Sequence, residues 1–124
     1  MATSRIFLAV AGVVGAISVA IDAAATHLLA ADAYRLGLAA TASRYGLFHA
    51  VALLALAVLD EGRSGWLRAA GWCFVAGLVL FCGSLDLLAA GAPHGFAHVA
   101  PWGGTAFILG WLVVLVAAVR ARRA

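Results

Sequence analysis

Six side chains able to carry a charge, a proton or a ligand bond lie within or beside otherwise apolar stretches of this sequence: Asp22, His27, Arg44, Tyr45, His49 and Asp86. A carboxylic acid beside an imidazole can hold a polar ligand or pass a proton, and a carboxylate beside a guanidinium forms an ion pair. Tyr45 and His49 are four residues apart, so on a helix they share a face one turn from each other. One reading makes the six a buried cluster that binds a polar ligand or moves a proton. The favoured reading is structural: Arg44 pairs with Asp22 or Asp86, while Tyr45 and His49 bond neighbouring helices and fix their register.

Other chemistry finds less support. Paired imidazoles can hold haem, but His27 stands near the end of its apolar segment and His49 a turn or more deeper, so no haem or other cofactor is expected. His94 and His98 have a spacing that could serve one metal on a helix, yet Pro93, Gly95 and Pro101 around them predict a solvated loop. Cys73 and Cys82 lie in one apolar segment at a spacing that fits no metal motif, so neither zinc nor a disulfide is expected. There is no glycine-rich phosphate loop, nucleophile elbow or zinc-protease helix motif, and hence no catalytic residue to name and no enzyme to expect.

The elements that must position these groups follow from composition. Of 124 residues, 66% are hydrophobic and 10% charged, and the net charge of +3 comes from Arg alone because Lys is absent. With a mean hydropathy of +1.10, the chain cannot clothe itself in polar surface. Apolar segments over about 6–30, 41–59, 66–90 and 101–119 are each long enough to cross a bilayer. They leave no room for a soluble domain. The predicted fold is all-α, a single four-helix transmembrane bundle.

Its connections are short. Residues 31–40 read as a short, partly helical connection at the interface, Asp60-Glu61-Gly62-Arg63-Ser64-Gly65 as a charged turn, and Gly91-Ala92-Pro93-His94-Gly95 as a stop. Arg5 and the Ala23-Ala24-Ala25 run also resemble a signal peptide, but the long run and the apolar residues beyond it predict a retained span. Arg5, Arg63, Arg68, Arg120, Arg122 and Arg123 fall on one side of the membrane and Arg35 and Arg44 on the other, which predicts cytoplasmic termini. Trp66 and Trp102 fit aromatic belts at opposite interfaces.

Lipid supplies no hydrophobic drive for helix pairing, so small residues decide how closely spans approach. The first span carries Gly12, Ala16, Ala20 and Ala24, with Ala11, Gly15, Ser18 and Asp22 on an adjacent stripe. The third offers Gly77 and Gly83, and the fourth Gly103, Gly104, Ala106 and Gly110. Ser18 and Asp22 are also echoed by Cys82 and Asp86, a faint parallel repeat.

Four segments together carry a resemblance: THLL at Thr26 to Leu29, RYGLFHAVALL at Arg44 to Leu54, AGWCFVAGLVLFCGSL at Ala70 to Leu85, and PWGGTAFILGW at Pro101 to Trp111. The chain resembles the domain-of-unknown-function 423 family, small bacterial membrane proteins similar to the mitochondrial transmembrane protein 256. The most specific parts are the Tyr-x-x-x-His pair, the Phe-x-Gly-Ser-Leu stretch at Phe81 to Leu85, and the Pro-x-Gly-Gly entry to the last span. The resemblance implies a multi-span protein of the bacterial inner membrane with no established activity. The chain departs from the pattern at Asp22-Ala-Ala-Ala-Thr-His27, where relatives tend to read Gly-Ala-Phe-Gly-Ala-His, and at Asp86, where relatives often have Tyr. Asp22 and Asp86 therefore read as a private pair, and His27, Tyr45 and His49 as shared positions.

The function expected is that of a non-enzymatic membrane protein acting through helix–helix contacts, as a homo-oligomer or an accessory to a larger membrane complex. Its surroundings are the lipid bilayer, and no nucleic acid is expected as partner. The competing expectation is a small proton-linked transporter or channel whose path uses Asp22, His49 and Asp86.

Overall fold

The computed structural model describes residues 2–60 and 64–121. Glu61, Gly62 and Arg63 of the expected charged turn, and Arg122 and Arg123 of the topology count, lie outside the described residues. Four helices long and apolar enough to cross a membrane account for nearly all of the rest: span one Ala2–Leu28, span two Ala33–Leu59, span three Gly65–Ala89, and span four, whose α-helix is Ala100–Ala121. At 1.5 Å per residue the first two are each about 40 Å long, against a hydrocarbon layer of about 30 Å, so their ends reach the interfaces.

Caps explain where the helices begin and stop. Asp32 Oδ1 accepts the Arg35 N–H at 3.0 Å, starting span two at Ala33. The connection expected over 31–40 is therefore mostly helix, and it shrinks to Leu29–Asp32. Tyr34, Arg35 and Gly37 suggest an interfacial segment by type alone, but they are compatible with a helix once Asp32 supplies its first acceptor. Ser64 Oγ similarly accepts from Leu67 N–H at 3.3 Å to start span three. At that end Asp60, almost fully buried, accepts the Ser64 N–H at 3.2 Å and approaches Arg68 at 3.7 Å, tying spans two and three together.

Span three ends on a left-handed Gly91, φ 99°, with Gly91 N–H on Leu88 O at 3.0 Å and Ala92 N–H on Leu87 O at 2.9 Å. This is a Schellman cap, which needs a residue without a Cβ. The His94–His98 segment, expected as a loop, closes into a single 3₁₀ turn with both imidazoles exposed.

Spans one and two pack as an antiparallel pair, and spans three and four as another. Span two bridges the pairs, while spans one and three meet where Phe7 packs on Gly71 and Trp72 and scarcely touch beyond that end. The centre is filled by Phe7, Leu53, Phe74 and Phe107. Glycines permit this only where a ring or backbone occupies the space a Cβ would take. The Phe7 ring fills it at Gly71, Phe107 at Gly77, Phe74 at Gly110, and the Phe81 backbone at Gly103; at Gly46 it is Ser18 Oγ.

Not every small residue works this way. A Cβ on Gly12, Gly15 or Gly83 would meet nothing within 4 Å, one on Gly104 would make only ordinary contact with the Phe81 ring, and Ala16 and Ala20 are exposed. The expectation for the Gly12, Ala16, Ala20 and Ala24 stripe of span one is corrected, because all four are exposed; of the adjacent stripe Ala11 and Ser18 do turn inward, together with Phe7 and Ala25.

Span three is irregular at Leu78–Cys82, a π turn in which Gly83 N–H reaches back to Leu78 O. Widening a helix leaves carbonyls poorly partnered, and hydrocarbon offers no water to replace them. Ser84 Oγ donates to Phe81 O at 2.9 Å and restores one.

Candidate functional site

Two polar sites inside the bundle stand out among the described residues, and they are built differently. The first surrounds His49, which lies near the middle of span two and is only 4% exposed. Its Nδ1 is 2.8 Å from Tyr45 O, and its Nε2 is 3.2 Å from Trp111 Nε1. A carbonyl oxygen only accepts and an indole N–H only donates, so the proton sits on Nδ1 and the Nε2 lone pair receives Trp111. That assignment follows from the partners and makes the ring neutral with both nitrogens engaged.

Aromatic rings close around it. Phe107 stacks on the imidazole with centroids 3.7 Å apart, and Phe74 meets it edge-on at 5.2 Å. Phe81 packs against Tyr45 at 5.0 Å and Phe107 at 5.7 Å, brought there by the π turn and by Gly103, which lets the Phe81 backbone come close. Tyr45, His49 and Trp111 also border a groove of about 240 Å³ on the outer face of the bundle.

The second place surrounds Asp86, in the last two turns of span three. Because spans one and three scarcely touch beyond the Phe7 end, the seam between them stays open as two crevices of about 270 and 260 Å³, and Asp86 lines both. Its Oδ1 is buried with no hydrogen-bond partner among the described residues. Arg35 borders the crevice nearer the Leu29–Asp32 connection; its Nε donates to Ala89 O at 2.6 Å, a cation closing the C-terminal end of span three. The remaining walls are almost wholly apolar.

The six expected residues are therefore not one cluster. Asp22, His27 and Arg44 are exposed on the outside of the bundle, Asp86 lies in the seam, and Tyr45 and His49 belong to the aromatic cage. The expected pairing of Arg44 with Asp22 or Asp86 is corrected: among the described residues, Arg44 makes no ion pair, because its position on span two faces away from the bundle. His27 and His49 cannot share a haem, since one is outside and the other has no free nitrogen. Among the described residues no group of three metal-ligating side chains assembles.

Sequence reasoning does not single out Arg35, Trp111, Phe107 or Ser84 as site residues. Trp111 and Ser84 do fall within the segments that carry the family resemblance. Arg35 has only a topological role there, and nothing in its surroundings along the chain points to Ala89, 54 residues away.

Comparisons with known proteins find relatives named as membrane proteins. Residues 21–104 match a family described as protein of unknown function (DUF423). The chain is 39% identical over 124 residues to the UPF0382 inner membrane protein YgdD of Escherichia coli (strain K12), covering 98% of this chain and 95% of that protein. It is 39% identical over 82 residues to the UPF0382 membrane protein YwdK of Bacillus subtilis (strain 168), covering 64% and 67%. The UPF0382 membrane protein SAB0533 of Staphylococcus aureus is 34% identical over 76 residues, covering 61% and 62%. No solved structure matches the chain.

Proposed function

The chain belongs to the DUF423 family, and from that premise we propose that it is an inner-membrane protein that works without catalysis, through contacts of spans one and two with other membrane helices. The observation that carries this reading is a pair of opposite charges on the outside of the bundle. Asp22 lies about 9 Å and Arg44 about 16 Å along their helices from the far ends. Both are exposed, and among the described residues neither has an ion-pair partner.

A charged group in hydrocarbon costs about 2.5–3.5 kcal/mol at mid-membrane on insertion scales, so such groups normally meet a partner. The contacts Ser18 to Gly46 and Ala25 to Ala39 set the register of the two helices. They place Asp22 and Arg44 within about 3 Å of the same depth. A neighbouring helix with complementary polar groups at that depth would satisfy both, and Gly12, Gly15 and Ala16 would let its backbone approach closely.

Purification in mild detergent, with mass measured by light scattering, tests this. The native protein is expected to run larger than one chain or with a co-purifying membrane protein, and the Asp22→Ala/Arg44→Ala double variant to run as a monomer. A strictly monomeric native protein with no companion would overturn the reading.

A further inference from the structure

We propose that the seam between spans one and three binds a single-chain amphiphile with a primary-amine head, its ammonium on Asp86 and its hydrocarbon tail along the crevice walls. Three observations converge there. Asp86 is a wall of both crevices, and each, at about 270 and 260 Å³, comes close to the size at which ligand sites begin, roughly 300 Å³. Their walls are apolar, with Val10, Val14, Val75 and Val79 lining the deeper one. The buried Asp86 Oδ1 has no donor among the described residues.

A buried acceptor without a donor is costly, and a ligand that brings N–H groups removes that cost. The sign of the ligand follows from the groups that face the site. Asp86 repels an anion, and Arg35, the one cation among the described residues that line the seam, already spends its Nε on Ala89 O nearer the membrane surface. An ammonium forms charge-assisted bonds to a carboxylate, which are roughly twice as strong as neutral ones. The tail would run from Asp86 toward the valines, deeper in the bilayer, as the tail of an inserted amphiphile must.

Gly83 supplies a way to test the site without disturbing the fold. It lines the deeper crevice in ordinary right-handed helical geometry, and a Cβ there meets nothing within 4 Å. Gly83→Leu therefore fills the crevice from its wall.

The protein in non-ionic detergent would be titrated with dodecylamine, dodecanol and dodecanoic acid, and the adducts counted by native mass spectrometry. Dodecylamine is expected to bind at least about tenfold more tightly than the other two, and Asp86→Asn to erase that preference. Gly83→Leu is expected to lose the amine adduct while keeping the unfolding temperature of the native protein. Equal affinity for amine and alcohol, an unchanged preference in Asp86→Asn, or an amine adduct that survives Gly83→Leu would each overturn the proposal. Because none of these measurements depends on a second protein, they stand or fall apart from the association of spans one and two.

Discussion

The His49 cage and the Asp86 seam lie in the same bundle and each is organised around a titratable side chain, yet they are opposite solutions to placing polarity in a membrane. Around His49 every polar atom of the ring has a partner, and aromatic rings pack against it inside the bundle, leaving a groove of about 240 Å³ only on its outer side. Around Asp86 a carboxyl oxygen has none among the described residues, and the adjoining space is open. The difference originates in glycine placement. Gly77, Gly103 and Gly110 draw spans three and four together until rings and backbone interlock, whereas a glycine joins spans one and three only at Gly71, under the Phe7 ring, far along the helices from Asp86. His49 is satisfied where the helices come close, and Asp86 is left over where they stand apart.

The sharpest way to break this contrast is to add bulk to the tight side. In Gly103→Leu the new side chain would collide with the Phe81 backbone, which cannot rotate aside. A loss of about 3 kcal/mol is expected in detergent unfolding, the upper part of the usual overpacking range. The matching Gly12→Leu should stay within about 0.5 kcal/mol of the native protein, because its side chain points into open space. Similar losses from both would show that span one packs more tightly than its surroundings indicate.

Emptying the cage should cost somewhat less. His49→Ala leaves a void among Phe74, Phe107 and Trp111 and strips the Trp111 indole of its acceptor. About 2 kcal/mol is expected from the same unfolding measurement, combining a cavity with an orphaned donor. Trp111 fluorescence should shift as its N–H loses that acceptor; an unchanged spectrum would mean that the Trp111 bond is not made in solution.

The smallest effect belongs to the seam. Gly83→Ala adds a methyl group to a crevice wall and is expected to change stability by less than about 0.5 kcal/mol. A large loss there would mean that the crevice is closed in the membrane, and the contrast between the two regions would disappear.

The four spans are legible in the sequence because length and apolarity alone decide whether a helix can cross a bilayer, and each run has both. The start of span two is not, since Asp32 reads as a loop residue until it is seen to cap Arg35 N–H. Which faces turn inward is harder still. In a soluble helix polarity marks the outside, but lipid makes Val, Leu and Ala equally at home on both sides. Gly12 and Gly110 therefore look alike in sequence although one faces open space and the other Phe74. Intramembrane charges are usually directed inward, and that rule misplaces Asp22 and Arg44, which are exposed.

The one-turn spacing of Tyr45 and His49 groups them correctly, but nothing local points to Trp111 as the second partner. The π turn has no sequence signal beyond the Phe-Cys-Gly-Ser-Leu stretch. Its hydrogen-bonding serine becomes meaningful only once the widened turn is known.

That widened turn at Leu78–Cys82 gears the two halves of span three to each other. A π turn absorbs one extra residue, and one residue on a helix is worth about 100° of rotation. The stretch before it points Phe74 and Gly77 at the imidazole and at span four, while the stretch after it points Asp86 at the seam and Ala89 at Arg35. Were the same residues to run as regular α-helix instead, the far half would swing by more than a quarter of a revolution. Phe74 would keep its place while Ser84, Asp86 and Ala89 all faced elsewhere, so the widened turn is what lets one helix serve both regions.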